Sequence, residues 1–397
     1  MKNPLKNSQG LALVLALFGT VILIILTGAS LLFGQLDLKI TSNNKLGTQA
    51  LELADAGVQH ALNIIPVEVD FTSLLGTTLV NSASFSSLAG FSYTVTVEND
   101  PGDSGGATKD TNGIAILKST ALGPANVRKV VKAYVRRSIP RGAIYIPGQA
   151  DKIETHLESA DTIVNGNDTN LNNSTGPQSP VPAIATTSDA TTAEISPAYP
   201  ALFTGMGPTP SIMTTPKIDV NTIASQFMSL PHVTYPWGSS GSNQPNEVSN
   251  VPEGAMGTLT SPQITVITGN VHFSGLPPGN PNCEPLGSAD CTGKNFGAGV
   301  LIVQGDLVLT GNFTFAGLVI VLGGTVSANP HVRMDGNAYI HGMLMLKEST
   351  VVDAPSYREL NLGGHSKVKY SSQAIQMVNS TWQQAVPAKL IGWKEDF

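Results

Sequence analysis

The longest uncharged stretch of the chain lies close to its N-terminus and restricts what the rest can fold into. Leu11 to Phe33 form 23 consecutive residues without a charged side chain. As a helix this stretch would be about 34 Å long, enough to cross the hydrocarbon core of a bilayer with some tilt. Lys2 and Lys6 precede it without any acidic residue, so the leader is expected to remain cytoplasmic. The sequence therefore predicts a single membrane span.

A helical pattern continues beyond the apolar stretch. Apolar residues from Leu51 onward recur at helical spacing and would share one face, and Pro66 ends the pattern. A secretory signal peptide would have a shorter apolar run and then a small-residue cleavage site, which does not follow Phe33. We therefore expect one long helix over residues 11–65, apolar all round at first and amphipathic later.

Two short pieces of this segment carry a family resemblance. SQGLALVLAL places a glycine directly before the hydrophobic run, and ELADAGVQHAL places small residues near the end of the helix. With the basic leader, these pieces resemble the N-terminal domain of PilX-type minor pilins, specifically over residues 1–65 and more loosely thereafter. The resemblance implies that a prepilin peptidase cleaves between Gly10 and Leu11 on the cytoplasmic side. Leu11 would then be the mature N-terminus, and the resemblance leaves open whether it is N-methylated.

One position departs from the pattern of the major pilins. Major pilins usually carry Glu at the fifth mature position, which is Leu15 in this chain. A carboxylate inside a membrane is costly and is kept for a function, here pairing with the N-terminal amine of a neighbouring subunit. Leu15 cannot form that pair, and family members without the Glu include the K-like tip pseudopilin of type II secretion. The resemblance therefore implies a minor subunit at or near a filament tip.

The rest of the chain predicts β structure. Charged residues make up only 13% of the 397 residues, and the 40 glycines and 26 prolines favour turns. GFSYTVTVEND, GIAILKSTA and VRKVVKAYVRRS read as three strands. By analogy with the family, they would form a small antiparallel pilin-like sheet within residues 66–140, lying on the second half of the helix. The predicted fold class is α+β.

Glycines recur at a regular spacing in the C-terminal part of the chain. Over residues 264–370, short apolar runs are separated by glycines, four of which lie six residues apart: Gly305, Gly311, Gly317 and Gly323. This favours a β-solenoid, in which short strands line the faces and glycines turn the corners. A sandwich or a meander of hairpins is the alternative. We assign residues 141–397 to a β-solenoid-like domain with an irregular Pro/Ser/Thr-rich insertion at about 176–257.

No residue is assigned a catalytic role. GDSGG, which contains Ser104, matches the sequence around the nucleophile of trypsin-like proteases, but that chemistry needs a His base and a buried Asp. The only earlier histidine is His60, on the predicted helix, so the motif is interpreted as a polar turn. A non-enzymatic protein is expected. The competing enzyme hypothesis is a membrane-anchored β-helical protein acting on polysaccharide through Glu154 or Asp161.

Two further groups of residues are candidates for a calcium site and for a disulfide. Oxygen ligands clustered in the same Gly-rich loop suit Ca²⁺, although their spacing is not that of an EF-hand and solvated turn residues are the alternative. These are Asp100, Asp103, Asp110 and Asn112. Cys283 and Cys291, the two cysteines of the chain, predict a local disulfide in an exported protein, with two free thiols as the alternative. No other cofactor is expected.

The charge and the resemblance together define the expected partners. The formal net charge is −6 and no basic patch stands out along the sequence, so nucleic acid is not expected. The expected partners are the membrane, prepilin peptidase, other pilins and a surface or glycan ligand of the C-terminal domain. The expected location is the bacterial cell envelope, first as a single-pass inner-membrane protein and then in an extracellular or periplasmic filament. Competing hypotheses are a K-like pseudopilin, whose head is typically more helical, and a signal-anchored envelope protein.

Overall fold

The chain folds into a long helix, an antiparallel sheet and a stack of parallel β-coils. The computed structural model describes residues 8–65, 71–84, 88–103, 105–110, 113–136, 142–238, 245–274, 296–324, 329–351, 359–377 and 388–396, with side chains from residue 11 onward. The helices are α1 (Ser8–Ile64), α2 (Asp189–Glu194), α3 (Val220–Met228) and α4 (Ser372–Gln376). The α+β class is therefore confirmed, as is the continuous N-terminal helix.

An antiparallel sheet, called the head sheet below, packs on the C-terminal half of α1. Its strands are β1 (Thr78–Ala83), β2 (Ser92–Asn99), β3 (Ile114–Leu122), β4 (Arg128–Arg136) and β22 (Lys389–Asp396). They lie in the order β1-β2-β3-β4-β22, so the C-terminal strand returns to pair with β4. The assignment of residues 141–397 to one domain is corrected here, because β22 completes the head sheet instead of extending the stack.

The remaining strands wind into coils. They are β5 (Ile144–Tyr145), β6 (Thr155–Leu157), β7 (Ile163–Asn165), β8 (Ile184–Thr186), β9 (Phe203–Thr204), β10 (Ile212–Thr214), β11 (Val233–Tyr235), β12 (Asn246–Val248), β13 (Gln263–Thr268), β14 (Val271–Phe273), β15 (Phe296–Gln304), β16 (Leu307–Leu309), β17 (Asn312–Val321), β18 (Val332–Met334), β19 (Asn337–Leu346), β20 (Leu360–Leu362) and β21 (Lys367–Lys369). Every pairing among these strands is parallel, as in a solenoid and unlike a meander of hairpins.

The coils have three faces. One face has the order β12-β14-β16-β18-β20-β6. The other two faces meet inside the long strands β15, β17 and β19, at Gly299, Gly317 and Gly342, which are aligned in register. These glycines have φ values of 126°, 132° and 140°, a region that disfavours any side chain. A Cβ at Gly342 would lie 1.9 Å from the carbonyl oxygen of Gly317, so the bend also requires close approach of the backbones.

The order of the coils in space differs from their order in the sequence. The coil built from β5, β6 and β7 pairs with the last coil, formed by β19, β20 and β21. In space, residues 144–214 therefore lie beyond residue 369, at one end of the stack. From there the chain returns through α3 to β11, which lies at the opposite end of the stack. This corrects the predicted insertion at 176–257. That segment supplies β8 to β12, whose strands of two or three residues are too short to show a sequence period.

The stack is filled and covered by apolar residues. Phe273 and Phe313 stack inside it at 5.0 Å between ring centroids, and Asn337 donates to Asn312 on the next coil at 2.9 Å. The buried side of α3, which includes Phe227, contacts the face that contains β13. Helix α4 covers β15, β17 and β19. Because apolar residues cover both sides of these long strands, the strands are buried almost throughout.

Candidate membrane anchor and assembly interface

None of the described residues covers the N-terminal half of α1. The large apolar side chains between Leu11 and Ile40 are 45–72% exposed. Helix α1 is long and apolar enough to span a membrane, with a mean hydropathy of 2.7 in its most apolar window and none of that window buried. Leaving so much apolar surface in water would be strongly unfavourable, so this half of the helix requires an apolar environment.

Three hydroxyl side chains in this half are satisfied within the helix itself. The hydroxyls of three residues donate to backbone carbonyls three or four positions earlier, at 2.7–2.9 Å: Thr20, Thr27 and Ser30. Such bonds remove the cost of placing a hydroxyl in hydrocarbon. The lateral surface of the segment is therefore suitable for lipid or for the apolar helices of other subunits.

The C-terminal half of α1 packs on the head sheet through small residues. Ala50, Ala54, Gly57 and Ala61 are buried against it. A Cβ at Gly57 would lie 2.4 Å from the hydroxyl oxygen of Ser119 and would also meet the Tyr93 ring. The glycine of the ADAG stretch is therefore the point at which the helix comes nearest to the sheet.

A polar contact that the sequence did not reveal also joins α1 to the sheet. The Nδ1 atom of His60 lies 2.7 Å from the hydroxyl of Tyr93, and the two rings meet edge to face. Burial raises the pKa of the Tyr93 phenol, so this group remains protonated over the physiological range. The two residues are 33 positions apart, and no periodicity could have paired them.

The predicted cleavage position lies inside α1. Gly10 belongs to the first helical turns, and the side chains of Leu11 and Leu15 are each 64% exposed. Leu15 therefore presents an apolar surface where a major pilin would present a carboxylate. Processing between Gly10 and Leu11 stays a prediction.

The acidic loop is tied to the protein's own backbone. Asp110 is 1% exposed, and its carboxylate accepts hydrogen bonds from the amides of Phe71 (2.8 Å) and Gly113 (2.7 Å). Asp103 likewise accepts from the amide of Gly105 at 2.8 Å. No cluster of three His, Cys, Asp or Glu residues suited to a metal is found in the part of the chain that the structure describes. These contacts favour the turn interpretation for Asp103 and Asp110.

Several of the predicted site residues lie outside the part of the chain that the structure describes. Ser104 and Asn112 lie outside the described residues, as do Cys283 and Cys291, so the disulfide and the fourth calcium ligand remain predictions. The carboxylates of the enzyme hypothesis occupy turns on either side of β6. The backbone amide of Glu154 donates to Glu359, and the Asp161 carboxylate lies 3.7 Å from His365 at the surface.

Comparisons with known proteins add a similarity to a solved structure. No protein-family model and no curated protein sequence matches the chain. Among solved structures, it is similar to the competence-associated pilin ComZ from Thermus thermophilus, at 11% identity and a TM-score of 0.29, over 88% of this chain and 97% of that one. At that level the similarity assigns neither a family nor a function.

Proposed function

We propose that this protein is a minor type IV pilin-like subunit with a PilX-type N-terminal domain. The observation that carries the proposal is the division of α1. Its first half is apolar and uncovered, and its second half is packed on an antiparallel sheet. A helix of this kind can partition into the inner membrane before assembly and then pack among the helices of other pilins in a filament.

The proposed position is at or near the tip of the filament. Leu15 lacks the carboxylate with which a repeating subunit would pair its neighbour's N-terminus. The coil stack adds a second folded body beyond the head sheet, and the tip is the place with most room for it. There the stack would act as an adhesive or binding domain, and no catalytic role is proposed for it.

A K-like pseudopilin is the second candidate. It would share the missing Glu and the large head. The described head and stack are dominated by strands, and α2 to α4 are only five to nine residues long. A largely β head favours the minor pilin over the pseudopilin, whose head is typically more helical.

The anchor can be tested by placing charges in the uncovered helix. Ile22 and Ile25 lie in its middle and are both exposed. Changing both to Arg should cost about 5–7 kcal/mol of insertion free energy and release the protein from carbonate-washed membranes and from sheared filaments. Tyr199→Arg, on the exposed surface of the stack, is the matched control and should change neither fraction. Wild-type protein that is absent from both fractions would contradict the proposal.

A further inference from the structure

The outer surface of the head sheet, on the side away from α1, carries a row of lysines. Val131, Ala133 and their neighbours face the helix, so alternation along the strands turns Lys132 outward. Lys118 on β3 lies directly opposite Lys132, and Lys394 on β22 lies opposite it on the other side. No basic patch stood out along the sequence because Lys394 joins the row only when the C-terminal strand pairs with β4.

A second basic pair extends this surface. Arg136 at the end of β4 lies opposite Lys389 at the start of β22, and both side chains are exposed. Like charges in directly opposite positions of an antiparallel sheet destabilise the pairing. A surface that departs from this pairing rule three times is expected to be retained for a function.

Acidic neighbours compensate only part of this charge. Lys118 pairs with Glu98 and Lys132 pairs with Asp396, each at 2.8 Å. The hydrogen bond from Lys132 lowers the pKa of Asp396, and the charges of Lys394 and Lys118 act in the same direction. Asp396 is therefore ionised at neutral pH, and Lys394 has no ion pair within the described residues.

A tyrosine lies between the row of lysines and the pair formed by Arg136 and Lys389. Tyr134 faces Gly392 across the strand pair, and a Cβ added to Gly392 would touch the tyrosine at 3.6 Å. Glycine at this position lets the Tyr134 ring lie across the neighbouring strand. The surface thus combines a partly exposed aromatic ring with flanking cations.

We propose that this outer face of the head sheet binds an acidic polysaccharide, with lysines meeting the sugar carboxylates and the Tyr134 ring lying under a sugar ring. Lysine suits this ligand, because its ammonium is a mobile point charge that adapts to a flexible chain. The major groove of duplex DNA admits a helix or a two-stranded ribbon but not the face of a five-stranded sheet, and one tyrosine is not the series of stacking platforms that single strands use. The surface is complete in one chain, so binding does not depend on filament assembly.

The test uses the full-length protein in uncharged detergent micelles and a fluorescein-labelled oligomer of polygalacturonate, followed by fluorescence anisotropy. The double variant K389Q/K394Q should weaken binding by roughly fivefold or more and leave Tm unchanged or raised, because it removes repulsion between neighbouring strands. K217Q removes one charge from a 59%-exposed side chain on the stack and should leave binding unchanged. A merely structural role for the two lysines would lower Tm instead.

Further binding measurements distinguish an acidic polysaccharide from other ligands. Binding that is lost in about 0.5 M salt and absent for neutral dextran supports the proposal, because exposed charges are screened at that ionic strength. Three results would overturn it: tighter binding of a single-stranded DNA of equal charge, the same affinity for K389Q/K394Q and K217Q, or no binding of polygalacturonate at low salt.

Discussion

At the scale of single residues, Gly57 illustrates how tightly α1 is held to the head sheet. Gly57→Ala would place a methyl group against Ser119 and Tyr93, and overpacking of this kind costs about 1–3 kcal/mol. Gly47 lies in the same helix with open space around it, so Gly47→Ala should instead stabilise by roughly 0.5–1 kcal/mol. Thermal unfolding in detergent micelles gives both values. Equal shifts for the two variants would show that Gly57 is not a close-contact position.

Glu359 makes a second residue-scale prediction. It is 1% exposed and accepts from the amide of Glu154 (2.6 Å) and the side-chain amide of Asn329 (3.0 Å). Burial raises the pKa of Glu359 above its ordinary value of 4.5. The folded protein therefore binds this proton more tightly than the unfolded chain, so the stability that the proton contributes is present at low pH and lost as pH rises through the raised pKa.

The measurement compares the stability of wild type and E359Q across that pH window. E359Q keeps the shape of the side chain but cannot ionise, so Tm of the wild type should fall relative to E359Q as pH rises above about 4.5. A difference in Tm that does not change with pH would mean that Glu359 titrates normally.

At the scale of elements, β22 has the least expected position. It forms the edge of the head sheet and is joined to β4 by two ion pairs, Lys129–Glu395 and Lys132–Asp396. Removing residues 389–396 should expose the β4 edge and speed hydrogen exchange at its amides. E395Q/D396N removes only these partly exposed ion pairs and should cost about 1 kcal/mol or less. Unchanged exchange at β4 after the truncation would contradict the observed pairing.

Some elements could be predicted from the sequence and others could not. The helix and strands β2 to β4 followed from periodicity, because each has one buried face and a clear period of 3.6 or 2. Strand β22 was missed because its partner β4 lies more than 250 residues earlier. The strands within residues 176–257 were missed because two or three residues, as in β8 or β9, are too few to define an alternation.

At the scale of the whole molecule, the order of coils can be tested by crosslinking. His156 on β6 and Asn361 on β20 are register partners, about 4.8 Å apart, although they are far apart in sequence. Cysteines at these two positions should form a disulfide in a C283S/C291S background. Arg333 lies one strand further along, about 9.6 Å away, so the pair H156C/R333C should not crosslink. The reverse result would contradict the coil order.

The regular spacing of the glycines indicated the stack of coils but not the order of the coils in space. Gly317 and Gly323 gave the six-residue spacing, because each bend needs a residue without a side chain. Nothing local shows that β5 follows β21 in space, since that contact depends on the return of the chain through α3. The basic surface of the head sheet was hidden for the same reason, because Lys118 and Lys394 meet only through the assembled sheet.

The central claim, that α1 is the anchor of a processed pilin-like subunit, is tested most directly by the mass of the mature N-terminal peptide. The protein should be isolated from cells that contain a prepilin peptidase and from matched cells that lack it. We expect a chain that begins at Leu11 in the first cells and an uncleaved leader in the second. A chain that keeps Met1 in both, or one cleaved beyond residue 30, would contradict it.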